Sequence, residues 1–510
     1  MPAWADENSR GGRTAVRDRS RRTGDRMNGS KGKVQGYEWV VLSVTTVGVL
    51  LASIQESALL ISLPDMMNSL HMDFLTVMWV LLSYLLITTI MVPIFGRLSD
   101  MFGRKRFYVL GFTLFTIGSL LGSLAQPQFQ GWDLVVYRII QALGGALLFA
   151  NGTAMVADAF EARRLGFGLG VNMVAAGAGI VLGPVVGGIL SPLGWQWIFL
   201  INVPFGVVGT IWAIIRLKEP TRVPKSQTFD WAGSGTFLIG LAGLLMAVSL
   251  VAFPLVGSEV VDALFVIGVV GIIAFFLVER RAKQPMMDLG LFRNREYAVG
   301  NFTNLLNGLC RGAALFLLIF FLQGPYGEDP LMAGLSLIPF GVSFIIVGPM
   351  SGRASDRYGP RNLTILGLAL TAASLLGLAF IDQTTPFWGL ALLMIMMGVG
   401  GGLYSSPNSS SIMNAVPPGR RGTAAGTRMM LMNTGQMFSL ALAFPLVLSG
   451  ISQTDMMKLF LYGGGISPEA MTIFENGLHS AFLLFFAVGI VAVVAALFRP
   501  KRIRDKNDLT

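Results

Sequence analysis

The sequence is dominated by apolar runs of about 20 residues that recur from Trp39 to Phe498, with short polar segments between them. A run of that length crosses the roughly 30 Å hydrocarbon core of a bilayer as one α-helix, which satisfies its own backbone hydrogen bonds. Hydrophobic residues make up 53% of the chain and charged residues 13%, whereas roughly a quarter of the residues in soluble domains are charged. These features predict an all-α membrane protein.

The apolar runs divide into fourteen predicted transmembrane helices. Their approximate spans are 38–63, 74–95, 106–125, 133–157, 166–190, 197–217, 231–253, 260–279, 297–323, 330–350, 362–381, 387–412, 425–449 and 478–498. The predicted organisation is a disordered basic cytoplasmic tail over 1–36, a six-helix bundle over 37–220, an inserted two-helix hairpin with linkers over 221–296, a second six-helix bundle over 297–498 and a cytoplasmic tail over 499–510. Segment 451–477 is predicted to lie outside the membrane as a short amphipathic helix of open role.

Charge alternates from one predicted loop to the next. Lys and Arg cluster in every second loop, as at 104–106 and 280–283, whereas the intervening loops carry acids and only one base, Lys458. Because short cytoplasmic loops retain Lys and Arg, both termini are predicted to be cytoplasmic. The net charge of +10 therefore indicates membrane orientation rather than nucleic-acid binding.

Two segments of the chain are similar to each other, GRLSDMFGRKR at 96–106 and GRASDRYGPR at 352–361. They follow predicted helices 2 and 10, which are eight helices apart, whereas a simple duplication of six-helix halves would place them six apart. The two extra helices are predicted to be an inserted hairpin, helices 7 and 8, which leaves the two six-helix halves in the same orientation. The first segment resembles the signature loop of the major facilitator superfamily, and 194–204, 229–233 and 419–426 resemble its fourteen-helix drug:proton antiporter family. This resemblance implies parallel halves with substrate bound between them near the membrane midplane.

The resemblance also implies a cytoplasmic gate at the two repeated segments. In relatives, the Asp and Arg that correspond to Asp100 and Arg104 pair with an acid at the end of helix 4, here Asp158. We further predict that Asp100 accepts hydrogen bonds from the N-terminus of a helix in the second half. The predicted gate residues are Gly96, Asp100, Gly103, Arg104, Lys105, Asp158, Asp356 and Arg357.

Helix 5 carries a glycine-rich pattern that resembles the antiporter motif of exporters in this superfamily. Its members are Gly170, Gly179, Gly183, Pro184, Gly187 and Gly188. Glycines four residues apart allow another helix to pack closely, and a proline removes a backbone hydrogen bond and bends the helix. An ordinary glycine-rich packing face is the alternative interpretation. The resemblance favours export over uptake.

Glu56 and Arg138 are the predicted proton-coupling residues. Glu56 is the only acid deep inside a predicted helix, one residue later than the acid of the relatives. Arg138 begins Arg-x-x-Gln-Ala-Leu-Gly, which resembles the helix 4 motif whose arginine is linked to proton transfer. Because a guanidinium stays protonated, Arg138 would act on a neighbouring carboxyl. A structural carboxyl and an arginine bonded to backbone carbonyls are the alternatives.

The predicted substrate cavity is lined by polar side chains of helices 1, 4 and 9, namely Gln55, Gln141, Asn304, Asn307 and Arg311. Arg311 has two interpretations, since it could contact an anionic substrate or pair with Glu56 across the halves. The leading hypothesis is a proton-coupled antiporter that exports hydrophobic or amphipathic compounds, as in multidrug efflux, by alternating access. The alternatives are a dedicated exporter of one metabolite or lipid-like molecule, a proton-coupled uptake transporter, and a non-transporting sensor.

The sequence contains no nucleotide-binding loop, nucleophile motif or cluster of metal ligands. We therefore predict no enzyme activity, no cofactor and no metal. The expected partners are protons, a small hydrophobic or amphipathic substrate and the lipid bilayer, without nucleic acid, and the expected state is a monomer. Cys310 is the only cysteine, so an intrachain disulfide is impossible.

Overall fold

The computed structural model describes residues 36–161, 164–190, 193–219, 229–251, 257–282, 287, 289–328, 330–448, 451, 455, 458 and 467–500. All regular elements in these ranges are helices. The predicted tails lie almost wholly outside the described residues, as do residues 452–454, 456–457 and 459–466 of the segment predicted to form an amphipathic helix.

Each predicted span contains a helix in the described part of the chain. The helices are α1 (Tyr37–Leu70), α2 (Phe74–Phe102), α3 (Arg104–Gly122), α4 (Trp132–Ala159), α5 (Leu165–Leu190), α6 (Gln196–Arg216), α7 (Trp231–Val251), α8 (Ser258–Arg281), α9 (Arg295–Gln323), α10 (Leu331–Tyr358), α11 (Pro360–Leu378), α12 (Phe387–Asn414), α13 (Arg421–Leu448) and α14 (Pro468–Leu497). Short irregularities interrupt α6, α9 and α10. Among the described residues, twelve helices are long and apolar enough to cross a membrane. The other two are α3, which begins with three basic residues, and α5, for which the described residues give a shorter apolar stretch, Leu165–Gly179.

The two repeated segments are mostly helical, and their prediction as loops is wrong. Residues 96–102 form the end of α2, and residues 352–358 form the end of α10. A single glycine makes each turn into the next helix, Gly103 with φ +108° and Gly359 with φ +86°. L side chains rarely adopt this left-handed conformation, so glycine allows a connection of one residue.

The last helix also begins earlier than predicted. α14 starts at Pro468, whereas the sequence placed an external segment up to residue 477. Ser467 caps the helix by accepting a hydrogen bond from the Ala470 N–H at 3.2 Å. A serine cap followed by a proline in the first turn is a local signal for a helix start, and it outweighs the polar residues that follow.

Two helix pairs join the N-terminal and C-terminal helices, since α2 packs against α13 and α5 packs against α10. Their backbones approach closely. A Cβ atom on Gly96 would lie 2.5 Å from the Gly422 carbonyl oxygen, and one on Gly352 would collide with the Gly166 carbonyl. Glycine at these positions therefore allows direct backbone contact between the two groups of helices.

The hairpin of α7 and α8 packs beside the α2–α13 pair. Its two helices lie so close that a Cβ atom on Gly240 would be 2.5 Å from the backbone nitrogen of Ile272. Phe237 and Leu241 of α7 belong to one buried apolar cluster with Ile90 of α2 and Met430 of α13. The hairpin thus contacts both sides of the junction between the N-terminal and C-terminal helices.

Candidate functional site

Glu56 lies on α1 with its side chain exposed, although the residue is in the middle of the helix. Among the described residues it forms no hydrogen bond or ion pair. It lies within electrostatic reach of Arg138 on α4 and Tyr84 on α2. These polar neighbours indicate that the carboxyl faces the interior of the helical assembly rather than lipid.

Arg138 is held rigidly, with only 2% of its surface exposed. Its guanidinium lies 4.4 Å from the centroid of the Tyr84 ring, and its Nε donates to the Val80 carbonyl at 3.2 Å. Nη1 donates to Gln141 Oε1 at 2.6 Å, and Gln141 Nε2 donates to Ser119 Oγ at 2.7 Å. Three helices therefore fix a permanent positive charge close to an exposed carboxyl that can take up or release a proton.

The two glutamines predicted to line the cavity lie inside the N-terminal group of helices. Gln141 is fully buried between Arg138 and Ser119. Gln55 is 1% exposed and accepts a hydrogen bond from Asn202 Nδ2 of α6. The structure thus places both as partners of neighbouring helices.

The candidates on α9 lie in the C-terminal group. Asn304 donates to the backbone carbonyl of Arg428 at 2.6 Å, and the Asn307 Oδ1 is buried without a hydrogen-bond partner. The Arg311 guanidinium lies over the rings of Phe340 and Phe344, 5.6 and 5.4 Å from their centroids. Pairing with Glu56 is one of the two roles predicted for Arg311. In the described part of the chain Arg311 forms no such ion pair.

The predicted gate residues form a buried ion-pair network. Arg104 donates to Asp100 through Nη2 at 2.7 Å and through Nε at 3.1 Å, and its Nη1 pairs with Asp158. The network also crosses to the C-terminal helices, because Arg421 Nη1 lies 3.5 Å from Asp158 Oδ1 and Arg104 Nη2 donates to the Pro418 carbonyl at 3.1 Å. Sequence reasoning did not assign Arg421 to the gate, although Arg421 lies in one of the predicted basic loops.

Asp100 accepts hydrogen bonds from the first turn of α13, as the sequence predicts for a helix of the second half. The donors are the N–H groups of Gly422 and Thr423, at 3.1 and 2.9 Å, and the Thr423 hydroxyl at 3.1 Å. A carboxylate is favoured there because unpaired N–H groups and the helix dipole make a helix N-terminus partly positive.

The second repeated segment makes the equivalent contact in the opposite direction. Asp356 accepts hydrogen bonds from the N–H groups of Gly166 and Phe167 at the start of α5, at 3.0 and 3.3 Å. Sequence reasoning named Asp356 without this partner, although the repeat itself implied it. Two carboxylates therefore join the halves at the same end of the assembly, each capping a helix of the other half.

Two further gate candidates point away from this junction. Lys105 Nζ donates to the Ile214 carbonyl of α6 at 2.8 Å, and the Arg357 guanidinium lies 5.3 Å from the ring centroid of its neighbour Tyr358. Glu219, which the sequence did not single out, accepts from the Arg104 N–H at 2.8 Å and so caps α3. The Lys105 and Glu219 contacts lie within the N-terminal group, whereas the Arg357 contact lies within α10.

The glycines of α5 serve two different faces. A Cβ atom on Gly179 would lie 3.0 Å from the Ile54 backbone nitrogen, and one on Gly183 would lie 2.9 Å from the Ala58 backbone nitrogen, both on α1. On the other face, a Cβ atom on Gly170 would lie 2.8 Å from Pro349 Cα of α10. Gly188 likewise faces α10, and Gly187 is buried. α5 therefore packs closely against α1 of its own half on one face and against α10 of the other half on the opposite face.

Substitution of Gly179 by alanine is expected to lower the free energy of unfolding by about 1–3 kcal/mol, because the added methyl group meets the α1 backbone, which cannot rotate away. Gly235→Ala on α7 is the matched control, because a Cβ atom there meets nothing within 4 Å. It is expected to be neutral or to stabilise by up to about 1 kcal/mol. Thermal unfolding of the purified variants checks both; equal melting temperatures would contradict the packing argument.

Comparison with known proteins finds relatives over most of the chain. A family model described as Major Facilitator Superfamily matches residues 45–440 and 300–509. A riboflavin transporter of Clostridioides difficile is 32% identical over 80% of this chain and 87% of its own length, and multidrug resistance protein 3 of Bacillus subtilis is 30% identical over 80% and 79%. The tetracenomycin C resistance and export protein of Streptomyces glaucescens is 26% identical over 93% and 94%. Among solved structures, the proton:xylose symporter XylE has a TM-score of 0.62 at 15% identity, over 92% of this chain and 97% of that one.

Proposed function

Because the chain belongs to the major facilitator superfamily, we propose that it is a proton-coupled antiporter that exports hydrophobic or amphipathic compounds by alternating access. It is a multi-pass transporter protein of the cell membrane. The observation that carries the proposal is the exposed Glu56 carboxyl beside the fixed guanidinium of Arg138. Relatives named for multidrug resistance and for drug export support the direction of transport.

In this mechanism Glu56 carries the proton and Arg138 sets how tightly the proton is held. The fixed positive charge favours the carboxylate, so a proton taken up from the outside is released again when the cavity opens to the cytoplasm. Protonation removes the attraction between Glu56 and Arg138, which gives the two protonation states different interactions with the rest of the bundle. Only such a difference can shift a conformational equilibrium.

Alternating access further requires that the gate can open. The Arg104–Asp100–Asp158 network and the two helix caps close one end in the present conformation. We assign that end to the cytoplasm because its loops are basic. These contacts break when the proton-loaded carrier opens to the cytoplasm, where it releases the proton and takes up substrate. They re-form when the substrate-loaded carrier turns to the outside.

The proposed membrane architecture has fourteen crossings, in which α3 and α5 join the twelve apolar helices. Both are long enough to span, and each packs along a neighbouring helix, α3 on α4 and α5 on α1. An even number of crossings leaves both termini on one side, the cytoplasmic one. The halves are then α1–α6 and α9–α14, with α7–α8 inserted, in the fourteen-helix drug:proton antiporter family, and the working unit is a monomer.

A dedicated exporter of one metabolite is the second candidate, and the similarity to a riboflavin transporter over most of both chains favours it. Competition separates the two candidates. Chemically unrelated drugs should compete with one another for a multidrug exporter, whereas one metabolite should be displaced only by close analogues if the protein is dedicated to it.

Transport into proteoliposomes with an imposed pH gradient tests the proposal. We expect an amphipathic fluorescent substrate to accumulate on the acidic side, and accumulation to stop when an ionophore collapses the gradient. Liposomes without protein are the control for passive leakage. Equal drug accumulation with and without the pH gradient would refute proton coupling.

A further inference from the structure

Three arginines lie along one face of α12. The residues of α12 that they approach are Gly401, Tyr404 and Asn408, spaced by three and four, so they follow each other along the helix over about 10 Å. A Cβ atom on Gly401 would lie 2.7 Å from Arg311 Nη1. Arg428 of α13 lies within electrostatic reach of Tyr404, and Arg499 Nη2 donates to Asn408 Oδ1 at 2.5 Å.

Arg499, at the end of this row, has a carboxylate partner. Its Nε lies 3.0 Å from the Glu296 carboxylate, and its Nη1 donates to the Thr364 hydroxyl at 3.0 Å. Burial lowers the pKa of Arg499, and the Glu296 charge opposes that shift. Arg499 thus has the acid partner that a buried structural arginine needs.

Arg428 and Arg311 have no such partner. Arg428 is 5% exposed, its Nε has no hydrogen bond, and the charged or titratable group acting on it is the Tyr404 phenol, whose hydroxyl donates to Thr303. Arg311 is half-buried and lies on two phenylalanine rings. Within the described ranges no carboxylate pairs with either arginine. An unpaired cation at membrane depth is costly, so a bound anion would stabilise both.

The surroundings also indicate what accompanies the anion. Phe340 and Phe344 provide aromatic faces directly at Arg311, and the buried Oδ1 of Asn307, one turn away on α9, is a free acceptor. Arg311 and Arg428 approach α12 at positions three residues apart, about 4.5 Å along its axis. One carboxylate, sulfonate or phosphate has enough acceptor oxygens for two guanidinium groups that approach neighbouring positions of one helix.

We propose that Arg311 and Arg428 bind the negatively charged group of the substrate, so that this protein exports aromatic organic anions. The inference rests on the proposed function and names its substrate class. The ring system of the substrate packs on Phe340 and Phe344, while the anion neutralises the two arginines. In contrast, Glu56 lies on α1 with the N-terminal helices and remains free to carry the proton.

Fluorescein and rhodamine 123 test the proposal, because they share a xanthene ring system and carry opposite charge. Fluorescence anisotropy with the purified full-length protein should give at least about tenfold tighter binding of fluorescein. Arg311→Gln and Arg428→Gln should each weaken fluorescein about tenfold or more and leave rhodamine 123 within about twofold, since a charge-assisted contact is lost. Arg428→Lys should retain the preference for the anion.

Arg499→Gln is the matched control, as it removes a buried arginine of the same row that already has an acid partner. It should lower protein stability without changing the ratio of the two affinities. Preference for rhodamine 123, absence of fluorescein binding, or equal weakening of both dyes in the Arg311 and Arg428 variants would overturn the inference. If the pH gradient drives flux of rhodamine 123 but not of fluorescein, the anion site is refuted and the proposed antiport is not. If fluorescein binds but the gradient drives no flux of either dye, antiport is refuted and the anion site is not.

Discussion

Replacement of Glu56 by glutamine is expected to abolish proton-driven export. Glutamine keeps the size and polarity of the side chain but cannot exchange a proton, so the carrier is held in a state that mimics the protonated one. The expected loss of gradient-driven flux is about 100-fold or more, the scale seen when a positioned proton-transfer group is removed. The measurement is drug accumulation in proteoliposomes with and without a pH gradient.

Two further measurements separate coupling from folding. Substrate binding and gradient-free exchange should persist in Glu56→Gln, because the carboxyl is exposed and makes no hydrogen bond or ion pair among the described residues that would be lost. Glu259→Gln, at an exposed acid in the first turn of α8, is the control and should transport normally. Undiminished gradient-driven flux in Glu56→Gln would rule out Glu56 as the proton carrier.

Asparagine in place of Asp100 is expected to open the gate. The substitution removes the charge that pairs with Arg104 and that caps α13, and breaking a buried ion pair costs about 3–5 kcal/mol. Because those contacts join the two halves in this structure, their loss is expected to shift the equilibrium toward the open arrangement by about 100-fold or more. Asp356→Asn should act in the same direction, because Asp356 caps α5 in the equivalent way.

A cysteine in place of Ser406 reports the opening, in a background where the single native cysteine is replaced by Cys310→Ser. Ser406 is fully buried, and its hydroxyl donates to the Gly166 carbonyl across the junction at 2.8 Å. A membrane-impermeant maleimide should label this position slowly in the parent and about 100-fold faster with Asp100→Asn. Asp382→Asn, at an exposed loop aspartate between α11 and α12, is the control. Equal labelling rates in all variants would mean that these carboxylates do not hold the gate closed.

The positions of the helices, the basic and acidic loops, and the partnership of Asp100 with a helix of the second half were all accessible from the sequence. The reason is that the length of an apolar run and the caps at its ends are local properties. In addition, two copies of a repeated segment are expected to make equivalent contacts. The helical ends of α2 and α10 were missed because charged residues in 96–102 and 352–358 resemble loops until their partners on the other half are known.

Only the tertiary structure decided which side chains meet. It turned Gln55 and Gln141 inward, gave α5 one face for α1 and another for α10, and brought Arg428 beside the same turn of α12 as Arg311. Residues more than a hundred positions apart meet only after the helices have packed, and the cost of a buried charge depends on that packing. For this reason the sequence determined where the apolar helices lie, and the fold determined which of their charges lack a partner.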